Sequence, residues 1–154
     1  MVQKIAITGS LRWDDRIKIK EVIYKLKQKF GPNLYINSGG LTDGVDSIVK
    51  KFCLEFDVEF AETPPHNCKW NQYCTEPSYM YNKAYHSKNI YIRNTRLANE
   101  TGTLILFRLA DDTSPFLDDL INRFYKKDKK ILVINWFKKI GFYIYPYNKF
   151  HTTQ

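Results

Sequence analysis

No stretch of this chain approaches the roughly 18 continuous apolar residues that a membrane-spanning helix needs. The start, Met1-Val2-Gln3-Lys4-Ile5, enters an apolar run of only a few residues, too short for a signal-peptide core. The expected setting is therefore the cytoplasm, the host's if the chain is phage-encoded. Cysteine is scarce and odd in number: Cys53, Cys68 and Cys74. Free thiols in a reducing compartment follow, and a disulfide framework does not. There is no internal repeat, no low-complexity linker and no G-x-G-x-x-G dinucleotide fingerprint. No motif calls for a cofactor.

What the chain has is enough length and apolar content for one ordinary domain. It has 154 residues, 44% hydrophobic and 26% charged, which excludes intrinsic disorder. The net charge of +8 favours anionic partners, meaning nucleotides, nucleic acid or phosphorylated metabolites. Lysine outnumbers arginine 18 to 6. Abundant Lys, Asn, Ile and Tyr also fit an AT-rich coding sequence, which accounts for part of that charge.

The hydrophobic pattern alternates strand and helix. Val2–Thr8 reads as a buried strand. Asp14 or Asp15 caps a helix with apolar face Ile19, Val22, Ile23, Leu26 and Phe30, ended by Gly31-Pro32. Leu34–Asn37 is a second strand. Thr42 or Asp43 caps a helix with Val45, Ile48, Val49, Phe52, Cys53 and Phe56 on one face. Val58–Ala61 is a third strand. Residues 62–89 are irregular, with a helix start expected at Pro77 and a helix running on through Arg96 and Ala98. Thr103–Phe107 is a fourth strand. Ser114 and Pro115 open a helix faced by Leu117, Leu120, Ile121 and Phe124. Ile131–Asn135 is a fifth strand, and the alternating aromatics of Phe142–Tyr147 can add another. The expected fold is α/β: a Rossmann-like three-layer domain with a mainly parallel five-stranded sheet. We read one domain over 1–154, with an aromatic-rich insertion at about 62–89 and an aromatic C-terminal extension at about 136–154.

Ligands of such sheets sit beyond the carboxyl ends of the strands, near the switch in strand order. Four segments fall there. In Thr8-Gly9-Ser10-Leu11-Arg12, a glycine lets the backbone approach a ligand, and the hydroxyls and Arg12 can meet phosphate or ribose; a plain turn is the competing reading. In Ser38-Gly39-Gly40-Leu41-Thr42-Asp43-Gly44-Val45-Asp46, free N–H groups at a helix start form an anion site. Asp43 and Asp46 would repel phosphate there, so they suit a ribose contact or helix capping. Arg93 and Arg96 lie one turn apart and can clamp an anion, with a solvated face preferred for Arg96. Thr113 and Ser114 can cradle a phosphate at a helix start, where Ser114 is equally an ordinary N-cap.

Thr8-Gly9-Ser10-x-Arg12, Gly39-Gly40-x-x-x-Gly44-x-Asp46, a Pro- and Trp-containing loop, Arg93-Asn94 and the strand Leu104–Phe107, in that order, resemble the SLOG superfamily. Its members include the LOG phosphoribohydrolases and the DNA-processing protein DprA, and the likeness is nearest to its small YspA-like branch. It spans about residues 3–135. The resemblance implies a nucleotide or nucleotide-derived, ADP-ribose-like ligand, facing Gly9, Ser10, Arg12, Gly39, Gly40, Asp46, Arg93 and Asn94. It also implies a role in sensing or sequestering a nucleotide signal in bacterial and phage conflict. The family's Gly-Thr pair is replaced by Thr113-Ser114. Its following glutamate has no counterpart nearer than Asp118. Hydrolysis of an N-glycosidic bond therefore ranks below binding, and single-stranded DNA binding ranks third. No catalytic residue is assigned.

His66, Cys68, Cys74 and His86 are zinc-type side chains, but their spacing matches no zinc pattern, so no metal is expected. Trp70, Tyr73, Tyr79, Tyr81 and Tyr85 either pack the insertion on the sheet or form a stacking lid. The lysine clusters at 18–29 and 126–130 read as solvated faces, and nucleic acid ranks behind a small ligand. Phe142 and Tyr145 as exposed aromatics point to a homo-oligomer.

Overall fold

Helix-forming stripes and β-branched runs settle into two helical layers around one sheet. The computed structural model describes residues 1–138 and the backbone of 142–148. The elements are β1 (Gln3–Gly9), α1 (Arg16–Phe30), β2 (Leu34–Ser38), α2 (Val45–Glu55), β3 (Glu59–Glu62), α3 (Asn89–Glu100), β4 (Thr103–Leu109), α4 (Pro115–Lys126), β5 (Lys130–Phe137) and β6 (Phe142–Asn148). The sheet order is β3-β2-β1-β4-β5-β6. The first five strands are parallel, and β6 joins β5 antiparallel.

Strand alternation divides the core. Ile5, Ile7, Ile105 and Phe107 point to one face, where Ile19 and Ile23 of α1 and Val45, Val49 and Phe52 of α2 cover them. Ala6, Leu104, Leu106, Ile131 and Val133 point to the other, under Leu97 and Ala98 of α3 and Leu117, Leu120 and Phe124 of α4. Each fully buried Leu or Phe of α4 contributes about 2–3 kcal/mol by leaving water. Asp15 caps α1, its side chain accepting from the Lys18 N–H. Gly31 ends that helix.

Three details differ from the expectations. The residue before α2 is Gly44, at φ 66, with no side-chain cap; Asp43 and Thr42 stay exposed. A Cβ at Gly44 would lie 2.4 Å from the Ser10 carbonyl oxygen, so close approach to the β1–α1 loop decides the residue there. Pro77 opens only a single 3-10 turn, Ser78–Met80. Ser114 starts α4, but its hydroxyl donates to Asp112 and does not cap the helix. The side chains of Phe142 and Tyr145 lie outside the described residues. No described helix is long and apolar enough to cross a membrane. All three cysteines are free.

Candidate functional site

The strand order reverses between β1 and β4, and the carboxyl ends of these strands are tied together there. The Ser10 N–H donates to the Phe107 carbonyl at 2.9 Å, and the Leu109 N–H donates to the Ser10 hydroxyl at 3.0 Å. The Ser10 hydroxyl also favours the ionised form of the Asp112 carboxyl. Asp112 in turn accepts from the Ser114 N–H at 3.0 Å and the Ser114 hydroxyl at 2.6 Å. Burial raises the Asp112 carboxyl, but these hydrogen bonds and Arg108 outweigh it and hold it below the usual carboxylate range. Thr113 is exposed beside this clasp.

On the α1 side of the clasp opens a cavity of about 420 Å³, lined by Arg12, Leu109, Ala110, Asp111, Trp136, Phe137 and Lys138. Arg12 is exposed. The aromatic packing beside it runs through buried Trp13, whose ring lies 5.2 Å from Phe107 and 5.1 Å from Trp136. Lys138 sits over the Trp136 ring and pairs with Asp14 at 3.0 Å. Of the expected residues, Arg12 alone lines this cavity. The strand-end rule points to Arg12. It missed Trp136, Phe137 and Lys138, although an aromatic pair at the carboxyl end of a buried apolar run is a usable signal.

Most of the other expected residues meet in a second place, at the end of β2. The Asp46 carboxylate accepts from the Thr8 hydroxyl at 2.6 Å, the Gly39 N–H at 3.2 Å and the Leu41 N–H at 3.0 Å. Arg93 Nη1 donates to the Gly39 carbonyl at 2.8 Å, and Arg93 Nε donates to Asn94 Oδ1 at 3.0 Å. Asn94 Nδ2 reaches across to α4, to the Phe116 carbonyl at 2.9 Å and to Asp119 at 3.1 Å. A Cβ on Gly39 would lie 2.3 Å from Arg93 Nη1, 2.6 Å from the Thr8 hydroxyl and 2.7 Å from Asp46. Thr8, Ser38, Gly39, Asp46, Arg93 and Asn94 are all buried, with Arg93 1% exposed. Gly40 follows at φ 77 and packs on Pro64, its N–H donating to the Ser38 hydroxyl. Gly9 ends β1 against Phe107.

Burial dominates the electrostatics of this knot. It pushes the Asp46 carboxyl up, against the pull of Arg93, the Thr8 hydroxyl and two amides. It pushes the Arg93 guanidinium down, against Asp46. No carboxylate lies within 4 Å of Arg93 among the described residues, although Asp46 acts on it from across the Gly39 peptide. Asp43 stays outside, exposed.

Arg96 corrects the expectation of a solvated face. Its guanidinium pairs with Glu76 at 2.8 Å and donates to the Thr75 hydroxyl at 3.0 Å and the Pro64 carbonyl at 3.3 Å. All of these partners lie in the insertion, so Arg96 anchors it on α3. His66 joins the cluster, 2.6 Å from Glu76 and edge-on to Tyr81. Tyr81 is buried, and Tyr73 packs on Phe60. Trp70, Tyr79 and Tyr85 are exposed. Cys74 accepts from the Asn71 N–H, and a ring nitrogen of His86 accepts from the Lys88 N–H.

No protein-family model matches the chain, and no curated protein does. Among solved structures, the chain is similar to the molybdenum cofactor binding protein of the phototrophic bacterium Rippkaea orientalis. The TM-score is 0.61 at 14% identity, covering 88% of this chain and 77% of that one. The likeness is one of fold. A muconate lactonizing enzyme from Mucobacterium Smegmatis aligns at a TM-score of only 0.27, with 10% identity over 86% of this chain and 46% of that one.

Proposed function

We propose that this chain, a member of the SLOG group by its motif order, binds a nucleotide or nucleotide-derived small molecule at the crossover between β1 and β4. It holds that ligand without turnover, as a sensor or sequestering protein for a nucleotide signal. The observation that carries the reading is the cavity of about 420 Å³ beside Arg12. Its size falls within the range of small-molecule sites, and its place is where open α/β sheets take ligands. Its apolar lining suits a heterocyclic ring, and Arg12 is placed to meet a phosphate. The Rippkaea orientalis protein of like fold is described as binding a cofactor, which supports a small-molecule ligand on this architecture.

In this reading the knot around Gly39 shapes the neighbouring loop, and Arg93 is its structural cation. The binding role outranks hydrolysis because of Asp118. That acid, nearest the position of the family's glutamate, is 65% exposed in its side chain and paired with Arg108 at 2.9 Å. It is not held in a pocket where it could stabilise charge at a ribose. A homo-oligomer is part of the same proposal, checked by sedimentation.

The test is mass spectrometry of small molecules released by heating the natively purified protein. A nucleotide-type compound recovered intact is the expected result. Its recovery should fall about tenfold, roughly one charge-assisted contact, in Arg12→Ala, with the melting temperature unchanged. Incubation with nucleoside monophosphates should yield no cleaved base. Empty protein that also fails to bind any nucleotide by calorimetry overturns the reading.

A further inference from the structure

The positive charge of this protein is unevenly placed. Helix α1 carries six cations (Arg16, Lys18, Lys20, Lys25, Lys27 and Lys29) against one acid, Glu21. Helix α4, on the opposite face, balances Asp118 and Asp119 with Arg123 and Lys126. Lys25 meets Glu21 only at 3.9 Å, with both side chains exposed, a contact of little consequence in water. Arg16, Lys20, Lys27 and Lys29 have no carboxylate within 4 Å among the described residues, and neither does Lys51 of α2.

Two of these cations come from different helices onto one ring. Lys20 Nζ lies 5.6 Å from the Phe52 centroid, and Lys51 Nζ lies 5.1 Å from it. Lys27 is held at the same seam, donating to the Asp57 carbonyl at 2.8 Å. The ring and the carbonyl fix the ammonium groups in place without neutralising them. Held charges of one sign lose less freedom on meeting an anion than free ones do.

We propose that the seam of α1 and α2 is a docking surface for the phosphate backbone of nucleic acid, separate from the small-molecule cavity. A single small anion meets only one or two of these cations. A strand of phosphates meets several together and releases their counterions. At a rise of about 1.5 Å per residue, Arg16 to Lys27 spans about 16 Å of helix, the reach of several consecutive phosphates. A lipid surface fits less well, because α1 has already committed the apolar face that would enter a membrane: Ile19 and Ile23 are fully buried. Contacts of this kind read charge and not sequence.

The experiment is fluorescence anisotropy with a labelled 20-nucleotide strand and a 20-base-pair duplex of mixed sequence. Poly-glutamate and vesicles containing phosphatidylserine serve as rival polyanions. The expected result is affinity for nucleic acid that falls roughly 50- to 150-fold between 50 and 200 mM salt, as for about four phosphate contacts. The combined variant Lys20→Gln, Lys27→Gln, Lys51→Gln should lose at least tenfold in affinity and flatten the salt dependence. The variant Lys126→Gln, Lys127→Gln at the end of α4 should bind as the parent does. Melting curves show that each variant is folded. Absence of binding at 50 mM salt, equal loss in both variants, or equal binding of poly-glutamate or vesicles overturns the proposal.

Discussion

The carboxyl edge of the sheet is closed at one end and open at the other, with similar residues at both. Beside β2, glycine, aspartate and arginine turn inward and satisfy one another around the Gly39 peptide. At the crossover of β1 and β4, serine and aspartate clasp two strand ends, and Arg12 stays exposed beside a cavity. Residue type therefore does not separate buried framework from open cavity wall. What separates them is whether each polar group has spent its hydrogen bonds within the chain. A group already bonded in a buried site costs stability when changed; an exposed one costs little.

The sharpest break of this contrast is Asp46→Ala. It removes the acceptor of three hydrogen bonds and leaves Arg93 buried without its counter-charge. Orphaning a buried charge costs about 3–5 kcal/mol, so urea unfolding should show a loss of that order. Gly39→Ala should follow closely, at about 3 kcal/mol, because the new methyl group meets three hydrogen-bonded polar atoms inside 3 Å. Gly102→Ala is its control: nothing lies within 4 Å of the added carbon, and stability should change by less than about 0.5 kcal/mol. A Gly39→Ala protein as stable as the parent would mean that the knot is loose.

Arg96→Ala is expected to cost less, about 1–2 kcal/mol, because the ion pair with Glu76 is only partly buried. Its signature should be local. Limited proteolysis should cut within 66–88 in the variant before the sheet unfolds, since the insertion holds only one turn of helix and an isolated bridge of its own.

The sheet, its helices and their order were legible because each is written in a period, two for strands and 3.6 for helices. The strands came within one or two residues of their observed ends. Thr8, Gly39, Asp46 and Arg93 were legible as a group, since glycines and charges beyond strand ends must be used for something. Which of them face solvent was not legible. Arg93 and Arg96 sit one turn apart with similar neighbours, and only the path of the insertion decides that one is buried under Gly39 and the other grips Glu76. That path has no period. It depends on side-chain hydrogen bonds between residues up to 32 positions apart, such as Arg96 to the Pro64 carbonyl. The Trp136 edge of the cavity was hidden for the same reason, because strand periodicity shows where β5 runs and not what opens beside it.

The smallest expected effect concerns the wall between the two ends. In the fold Asp112 is held below the usual carboxylate range: burial works against this, but the hydroxyls of Ser10 and Ser114, the Ser114 amide and Arg108 prevail. A carboxyl depressed in the folded state adds stability above its unfolded value, about 3.9, and loses it as pH falls through the folded value. In Asp112→Asn that contribution is gone at every pH, while an amide oxygen can still accept from Ser114. The variant should therefore melt slightly below the parent at pH 7, and the gap should narrow as the pH is lowered below about 4. Asp46 has the opposite sign. Its carboxyl is raised by burial, so it adds stability below its unfolded value and withdraws it as pH rises through the folded one. Thermal melts of the parent and Asp112→Asn from pH 7 to pH 3 isolate the crossover clasp from the knot. A gap that widens on acidification would show that Asp112 is not ionised in the fold, and the clasp would then be held by a protonated carboxyl donating its own hydrogen.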